Sequence, residues 1–115
     1  MVSLRALFRR HKVASVNVLA LDCEGHDCTI LSGLLRVCKK HPEWLPRVIL
    51  FETNGMNDKV FGSGTEARII NAFRDVGYRL LYGGGFRATC GVRDTVLVLD
   101  RWPVNHSHHK NWSKT

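Results

Sequence analysis

The sequence predicts an α/β protein whose sheet has parallel strands and a C-terminal antiparallel β-hairpin. Two short, nearly continuous apolar runs at residues 16–21 and 48–52 are typical of strands in a parallel sheet. Each run is followed by a segment with apolar residues three and four positions apart, which indicates a helix. Two more apolar runs, 78–82 and 95–99, lie close enough in sequence to pair as a hairpin.

The length and composition allow one domain. With 115 residues, of which 44% are hydrophobic, the chain can bury one modest core, which we place in residues 1–100. Residues 101–115 contain three cations and no acid, and we expect them to form a disordered basic tail. No segment reaches the roughly 20 consecutive apolar residues that a membrane span needs.

The charge distribution bears on partners and location. A formal net charge of +7 suggests nucleic-acid binding, but many of the cations lie at the two ends without stacking aromatic residues, so we expect neither nucleic acid nor membrane as a partner. The basic N-terminal segment also resembles a mitochondrial presequence. The spacing of Leu4, Leu7 and Phe8 favours a short amphipathic helix packed on the domain instead. We therefore expect a cytoplasmic protein, with a mitochondrial one as the alternative.

The first strand, Val16 to Leu21, is apolar at almost every position, which predicts burial on both faces of the sheet. The helix that follows is predicted from apolar residues at helical spacing: Ile30, Leu31, Leu34, Leu35 and Cys38. Cys28 and Cys38 fall on this helix as small buried hydrophobes. Because the four cysteines show no paired C-x-x-C spacing, we expect no zinc site.

The second strand, Val48 to Glu52, is likewise predicted to be buried on both faces. A loop containing Asp58 is expected after it. Ser63 and Glu66 have the spacing of a capping box, which predicts that the second long helix begins there. Gly77 follows the last apolar position of that helix and predicts its end.

Polar side chains follow both of these strands. Asp22 and Glu24 come directly after the first strand, and Glu52 and Asn54 end the second. The carboxyl ends of parallel strands share one edge of the sheet, where α/β proteins bind ligands, so we expect these four side chains to gather there. A carboxylate in that place can position or deprotonate an acceptor hydroxyl.

Each candidate also has a purely structural interpretation. Asp22 could cap the helix that follows, and Glu24 could interact with the N-terminus of that helix. His26 could act as a general base near neutral pH or be an exposed first-turn histidine. Asn54 could form an ordinary turn pair with the next residue. No third acid at suitable spacing accompanies Asp22, Glu24 and His26, so we expect no metal site.

The stretch VNVLALDCEGHDCTILSG resembles the signature of the FkbM family of S-adenosylmethionine-dependent methyltransferases. In that signature an apolar strand leads into Asp-x-Glu-Gly-x-Glu and then into an apolar helix that contains a glycine. Asp22, Glu24 and Gly25 match this pattern. Asp27 stands where the family usually has Glu, and Gly33 matches the helix glycine. The resemblance continues with less specificity through FETN, the helix ending in VGY, and RDTVLVL.

The resemblance covers roughly residues 3–99 and implies a Rossmann-like class I methyltransferase fold, S-adenosylmethionine as cofactor, and O-methyl transfer to a sugar or polyketide-like hydroxyl. It implies catalytic roles for Asp22 and Glu24, and cofactor contacts from Asp22 and Gly25. The acceptor would contact four residues: Glu24, His26, Glu52 and Asn54. The glycine-rich turn and the ribose-binding acid of the family's first half have no counterpart in the sequence. The chain thus resembles a fragment, the second half of the domain, which predicts dimerisation or pairing with an N-terminal half.

An alternative function is a non-catalytic interaction module. In that case the apolar first strand would lie at the edge of the sheet and pair with another chain. The pattern G-x-G-x-x-A at residues 62–67 could cradle an anion at a helix start. Because this pattern stands several residues beyond its strand, the simpler interpretation is a flexible loop that leads into a capped helix.

Overall fold

The computed structural model of the chain describes residues 3–23, 25–53, 55–84 and 94–100. The elements, in chain order, are α1 (Leu4–Arg10), β1 (Val18–Leu21), α2 (Asp27–Cys38), a 3-10 turn (Pro42–Trp44), β2 (Val48–Glu52), α3 (Met56–Phe61), α4 (Thr65–Asp75), β3 (Tyr78–Tyr82) and β4 (Asp94–Leu99). In the described part of the chain, no helix is long and apolar enough to cross a membrane. The tail predicted for residues 101–115 lies outside the described residues.

The four strands form one mixed sheet in the order β1-β2-β4-β3. β1 and β2 are parallel, with Leu21 beside Phe51. β4 lies between β2 and β3 and is antiparallel to both. The predicted α/β class, the parallel first pair and the antiparallel C-terminal hairpin are therefore confirmed. β1 and β3 form the two edges of the sheet.

The helices of the described chain cover one face of this sheet. Along β2 the fully buried Ile49 and Phe51 alternate with more exposed neighbours, and Leu97 of β4 pairs with Ile49 on the covered face. The core contains buried apolar residues of α2, α4 and three strands: Leu31, Leu34, Ile70, Phe73, Ile49, Phe51, Leu97 and Tyr78. The predicted burial of β1 and β2 on both faces is wrong, because Val18 is 61% exposed and Leu50 is 37% exposed.

α1 packs on the helix layer as the spacing of its apolar residues predicted. Leu4 and Phe8 contact the core, and the ring of Phe8 meets Trp44 edge to face at 5.2 Å. The Trp44 indole N–H donates to the Val13 carbonyl at 2.8 Å, which fixes the segment between α1 and β1. Leu7, the third apolar residue of the predicted stripe, is 39% exposed.

The segment between β2 and α4 differs from the prediction. Residues expected to form a loop around Asp58 form the short helix α3. The predicted capping box is wrong: α4 begins at Thr65, and the side chain at the N-terminus of α4 is Asp58, which accepts hydrogen bonds from the Gly64 and Glu66 amides at 3.1 and 2.9 Å. The predicted helix end is confirmed, since Gly77 follows α4 with φ +113°.

Candidate functional site

Asp22 and Glu52 lie at the same edge of the sheet. Because β1 and β2 are parallel and Leu21 pairs with Phe51, the next residue of each strand reaches that edge in register. Asp22 is exposed and Glu52 is half-buried. The structure thus brings these two predicted site residues together. Glu24 and Asn54 are outside the described residues, and their predicted roles stay predictions.

Asp27 ties the ends of the two strands together. Its carboxylate is fully buried and accepts from the Cys23 amide at 2.8 Å and from the Glu52 amide at 3.0 Å. One oxygen therefore serves the chain after β1, and the other serves the end of β2. Hydrogen bonds to an ionised acceptor are stronger than neutral ones, so this residue fixes the geometry on which Asp22 and Glu52 depend. Asp22 itself does not cap α2, because α2 begins at Asp27 after His26.

Asn57 joins the same edge to the helices. It lies on α3, is buried, and accepts from the Cys28 amide at 3.1 Å. Its side-chain amide donates to the Glu52 carbonyl at 3.1 Å and to the Glu66 carboxylate at 3.2 Å. Glu66 also accepts from the Gly55 amide at 3.1 Å. This buried network links the start of α2, the end of β2, α3 and α4. It therefore helps to hold in place the sheet edge that carries Asp22 and Glu52.

A third acid at this edge, Asp94, was not among the predicted site residues. It is the first residue of β4, is exposed, and stands directly opposite Glu52 in the antiparallel pair. The signal in the sequence that could have indicated Asp94 was its position just before the last apolar run. The pairing of Asp94 with Glu52, however, depends on the insertion of β4 between β2 and β3. Among the described residues, no group of three or more histidine, cysteine or acidic side chains is arranged to hold a metal ion.

Gly25 and His26 turn towards α3. Gly25 is buried with φ +94°, and a Cβ atom there would approach the Met56 carbonyl at 3.2 Å and the Val60 side chain at 3.1 Å. Its positive φ and this close approach favour glycine. The exposed His26 ring meets Phe61 edge to face at 5.6 Å. The structure therefore gives Gly25 a role in packing, and the predicted contacts of both residues with a ligand stay predictions.

The turn at residues 62–67 does not present bare amides to an anion. The Gly64 and Glu66 amides already donate to the Asp58 carboxylate. This agrees with the part of the simpler interpretation in which the segment leads into a capped helix, although the capping side chain is Asp58. The carboxylate of Asp58 also places negative charge where an anion would have to dock, which disfavours a phosphate at that helix start.

Two cysteines of α2 are buried and poorly suited to nucleophilic chemistry. Burial, with smaller contributions from Glu66 and other acids, raises the pKa of Cys28 to about 12. Burial, followed by the negative charge of Glu43, raises the pKa of Cys38 to about 12. Both thiols therefore stay protonated at neutral pH, which agrees with their predicted role as small hydrophobes.

Two adjoining surface grooves lie between α2 and α4. Neither groove is lined by Asp22, His26 or Glu52. No protein-family model, no curated protein and no solved structure matches this chain.

Proposed function

We propose that this chain is the acceptor-side part of an S-adenosylmethionine-dependent methyltransferase of the FkbM type that transfers a methyl group to oxygen. The observation that carries the proposal is the meeting of Asp22 and Glu52 at the carboxyl edge of two parallel strands, held by Asp27. The strand order, with β4 antiparallel between β2 and β3, also agrees with the C-terminal half of the fold that the resemblance implies.

The described residues provide acidic groups for one side of such a site. Asp22 offers an exposed carboxylate that could accept hydrogen bonds from the amine or the ribose hydroxyls of the cofactor. The space beside Gly25, by contrast, is filled by α3, and both described grooves lie elsewhere. The proposal therefore includes an N-terminal half, on the same or another chain, that packs along the open edge of β1 and completes the cofactor site.

The chemistry we propose for Asp22 is alignment and proton removal. S-adenosylmethionine would supply an electrophilic methyl group. Asp22 would accept a hydrogen bond from the acceptor hydroxyl and take its proton as the oxygen–carbon bond forms. The methyl–sulfur bond would break at the same time, and its electron pair would stay on the sulfur of the departing S-adenosylhomocysteine. Glu52, half-buried beside it, and Glu24 would hold the hydroxyl groups of a sugar or polyketide-like acceptor. The opposed acids Glu52 and Asp94 favour an acceptor that donates several hydrogen bonds.

Methyl transfer from labelled S-adenosylmethionine to a panel of sugars and polyketide-like alcohols tests the proposal. We expect labelled product when the chain is combined with a methyltransferase-like N-terminal half, and at least a tenfold lower rate for Asp22→Asn in the same mixture, since this variant keeps the shape and removes the base. Glu43→Gln, an exposed acid next to His41 on the 3-10 turn, is the matched control and should leave the rate unchanged. An Asp22→Asn variant with the native rate would remove Asp22 from the reaction.

Calorimetric titration with S-adenosylmethionine completes this test. Heat at micromolar cofactor supports a chain that holds the cofactor by itself. If the chain alone gives neither heat nor labelled product, it is not an enzyme by itself. The same titration, repeated with a methyltransferase-like N-terminal half added, would then test the completed domain.

A second candidate function is a non-catalytic module that pairs through β1. The observation in its favour is that β1 lies at a sheet edge and consists of four apolar residues without proline or charge, with Val18 61% exposed. Such a strand is a template for association. In sedimentation experiments we expect self-association that Val18→Lys abolishes. Leu81→Lys is the matched control, because Leu81 is 57% exposed on the opposite edge strand. A native chain that stays monomeric at high micromolar concentration would contradict self-pairing.

A further inference from the structure

A continuous groove runs between α2 and α4. It is separate from the sheet edge that carries Asp22, Glu52 and Asp94. It consists of two adjoining cavities of about 400 and 290 Å³, which share Ser32, Arg36 and Ile69. These volumes are in the range of sites that bind small molecules. None of the residues to which we assign a role in methyl transfer lines either cavity, so the groove is a separate feature of the molecule.

One end of the groove is cationic. Arg36 of α2 and Arg68 of α4 both line the smaller cavity, together with the hydroxyl groups of three residues: Thr29, Ser32 and Thr65. The Arg68 guanidinium is oriented by the Thr65 hydroxyl at 3.1 Å and the Ser63 carbonyl at 3.4 Å, and Arg36 donates to the Ser32 hydroxyl at 3.4 Å. Among the residues that the structure describes, no carboxylate forms an ion pair with either arginine.

These groups are suited to an anion from outside the chain. Each guanidinium is exposed and presents N–H donors in a planar fork that matches a carboxylate or a phosphate. Because Ser32 accepts from Arg36, its own hydroxyl hydrogen is available to donate to the same anion. The Thr65 hydroxyl donates to the Gly62 carbonyl at 2.7 Å, so Thr65 orients Arg68 but does not itself donate to the anion. A phosphate or carboxylate would thus find two cationic forks and the Ser32 hydroxyl donor in one cavity.

The other end of the groove is apolar. The larger cavity is lined by five apolar residues from α2, α4 and the segments next to them: Leu35, Leu45, Ile69, Ala72 and Val76. Val76 is 43% exposed, so part of this lining is in contact with water. Besides the shared Arg36, the charged residues here are Lys39 and Asp75, which balance each other. This end therefore favours a hydrocarbon group over an ion.

We infer that the groove between α2 and α4 binds an amphiphilic anion, a phosphate or carboxylate head group on a short hydrocarbon chain. The head group contacts Arg36 and Arg68, and the chain lies over Ala72 and Val76 towards Leu45. The order of the two ends along the groove fixes the orientation of the ligand. The inference is independent of the methyltransferase proposal, because it rests on other residues.

The test is binding of octyl phosphate as a monomer to the native chain, followed by calorimetry and by amide chemical shifts. We expect a Kd of about 10–100 µM, with shifts concentrated in residues 29–39 and 65–76. Inorganic phosphate, which has the head group alone, and 1-octanol, which has the chain alone, should each bind at least tenfold more weakly. Equal binding of either one would overturn the inference, as would shifts that map outside the groove.

Variants separate the two ends of the site. Arg36→Gln combined with Arg68→Gln should weaken octyl phosphate binding at least tenfold. The matched control, Arg5→Gln combined with Arg74→Gln, removes the same charge from exposed arginines that do not line the groove and should leave the Kd unchanged. Ala72→Phe, which fills the apolar end, should weaken octyl phosphate binding and leave that of inorganic phosphate unchanged, with thermal melting as the check on folding.

A lipid surface is the other source of the same head group. Vesicles of phosphatidylserine and of phosphatidylcholine distinguish it from a free ligand. Binding to anionic vesicles with no response to monomeric octyl phosphate would overturn the inference in favour of membrane attachment. Equal weakening by the groove variant and by the charge-matched control would do the same in favour of non-specific attraction to a basic chain.

Discussion

Asp27 joins the ends of β1 and β2 through its buried side chain. Its carboxylate is fully buried and bonds the Cys23 and Glu52 amides, which belong to different strand ends. Asp27→Ala would leave two amides without their acceptor. We expect it to lower the free energy of unfolding by about 3 kcal/mol, measured by urea denaturation. Asp75→Ala, at an exposed acid, should change it by less than about 0.5 kcal/mol. Equal effects of the two variants would contradict the role of Asp27.

The sequence predicted that acids gather at this edge of the sheet, but it did not predict which acid is buried and structural and which is exposed. Asp22 and Asp27 have the same side chain and lie five residues apart on either side of one turn. Which of them is buried depends on the position of the Glu52 amide, and that position is set by the pairing of β1 with β2. A pattern of residues along the chain contains no information about a partner 25 positions away. The same reason explains why Asp94 was missed.

At the scale of elements, the turn between β1 and α2 depends on one glycine. Gly25 has φ +94°, and a Cβ there would lie 3.1 to 3.3 Å from atoms of α3. Because both the conformation and the space disfavour a side chain, Gly25→Ala should destabilise the chain by about 1–3 kcal/mol.

Gly33 is the matched control for this prediction, because it belongs to the same sequence motif as Gly25. A Cβ at Gly33 would meet only the mobile end of Arg36, at 3.7 Å, and the residue lies inside α2. Gly33→Ala should therefore stabilise the chain by about 0.5–1 kcal/mol through higher helix propensity. Chemical denaturation of the two variants should give shifts of opposite sign, and shifts of the same sign would contradict the account of Gly25.

Most elements could be predicted because local pattern dominates them. The bounds of β2 and β3 and the body of α2 follow from runs and stripes of apolar residues. The burial of the strands could not be predicted. Val18 and Leu50 lie on the open face of the sheet, although they are as apolar as their neighbours along the strands. The sequence pattern shows that a strand can be buried on both faces, but it does not show what covers each face. α3 was missed because its six residues begin after a left-handed glycine and not after a capping side chain.

At the scale of the whole molecule, one face and one edge of the described sheet expose apolar surface. In an α/β fold with a parallel sheet, helices cover both faces. Here Val18, Leu50 and Tyr82 expose apolar surface on the sheet, with exposed fractions of 61%, 37% and 57%. Val18 lies on β1 and Leu50 on the neighbouring β2, so this part of the surface adjoins the edge along which the methyltransferase proposal places the N-terminal half. The same surface is what the alternative module would use, so cofactor binding and oligomeric state have to be measured together.

The core also predicts how stability depends on alkaline pH. Burial raises the pKa of Cys28 and of Cys38 from 9.0 to about 12, and it raises the pKa of Tyr78, whose hydroxyl donates to the Pro46 carbonyl. In the unfolded chain the thiols lose their protons near pH 9, whereas in the folded chain they keep them. Between about pH 9 and 12 the folded state therefore binds more protons, and linkage requires the free energy of unfolding to fall as the pH rises.

Urea denaturation at pH 7.5, 9 and 10.5 measures this effect. We expect the free energy of unfolding to be slightly lower at pH 9 than at pH 7.5 and clearly lower at pH 10.5, because the stabilisation from the neutral thiols is fully present only below the pKa of the unfolded chain. Cys38→Ala removes one of these groups. It should be less stable than the native chain at pH 7.5 because it leaves a small cavity, but the difference should narrow at pH 10.5. A difference that stays constant across the three pH values would show that the Cys38 thiol does not contribute to the alkaline loss of stability.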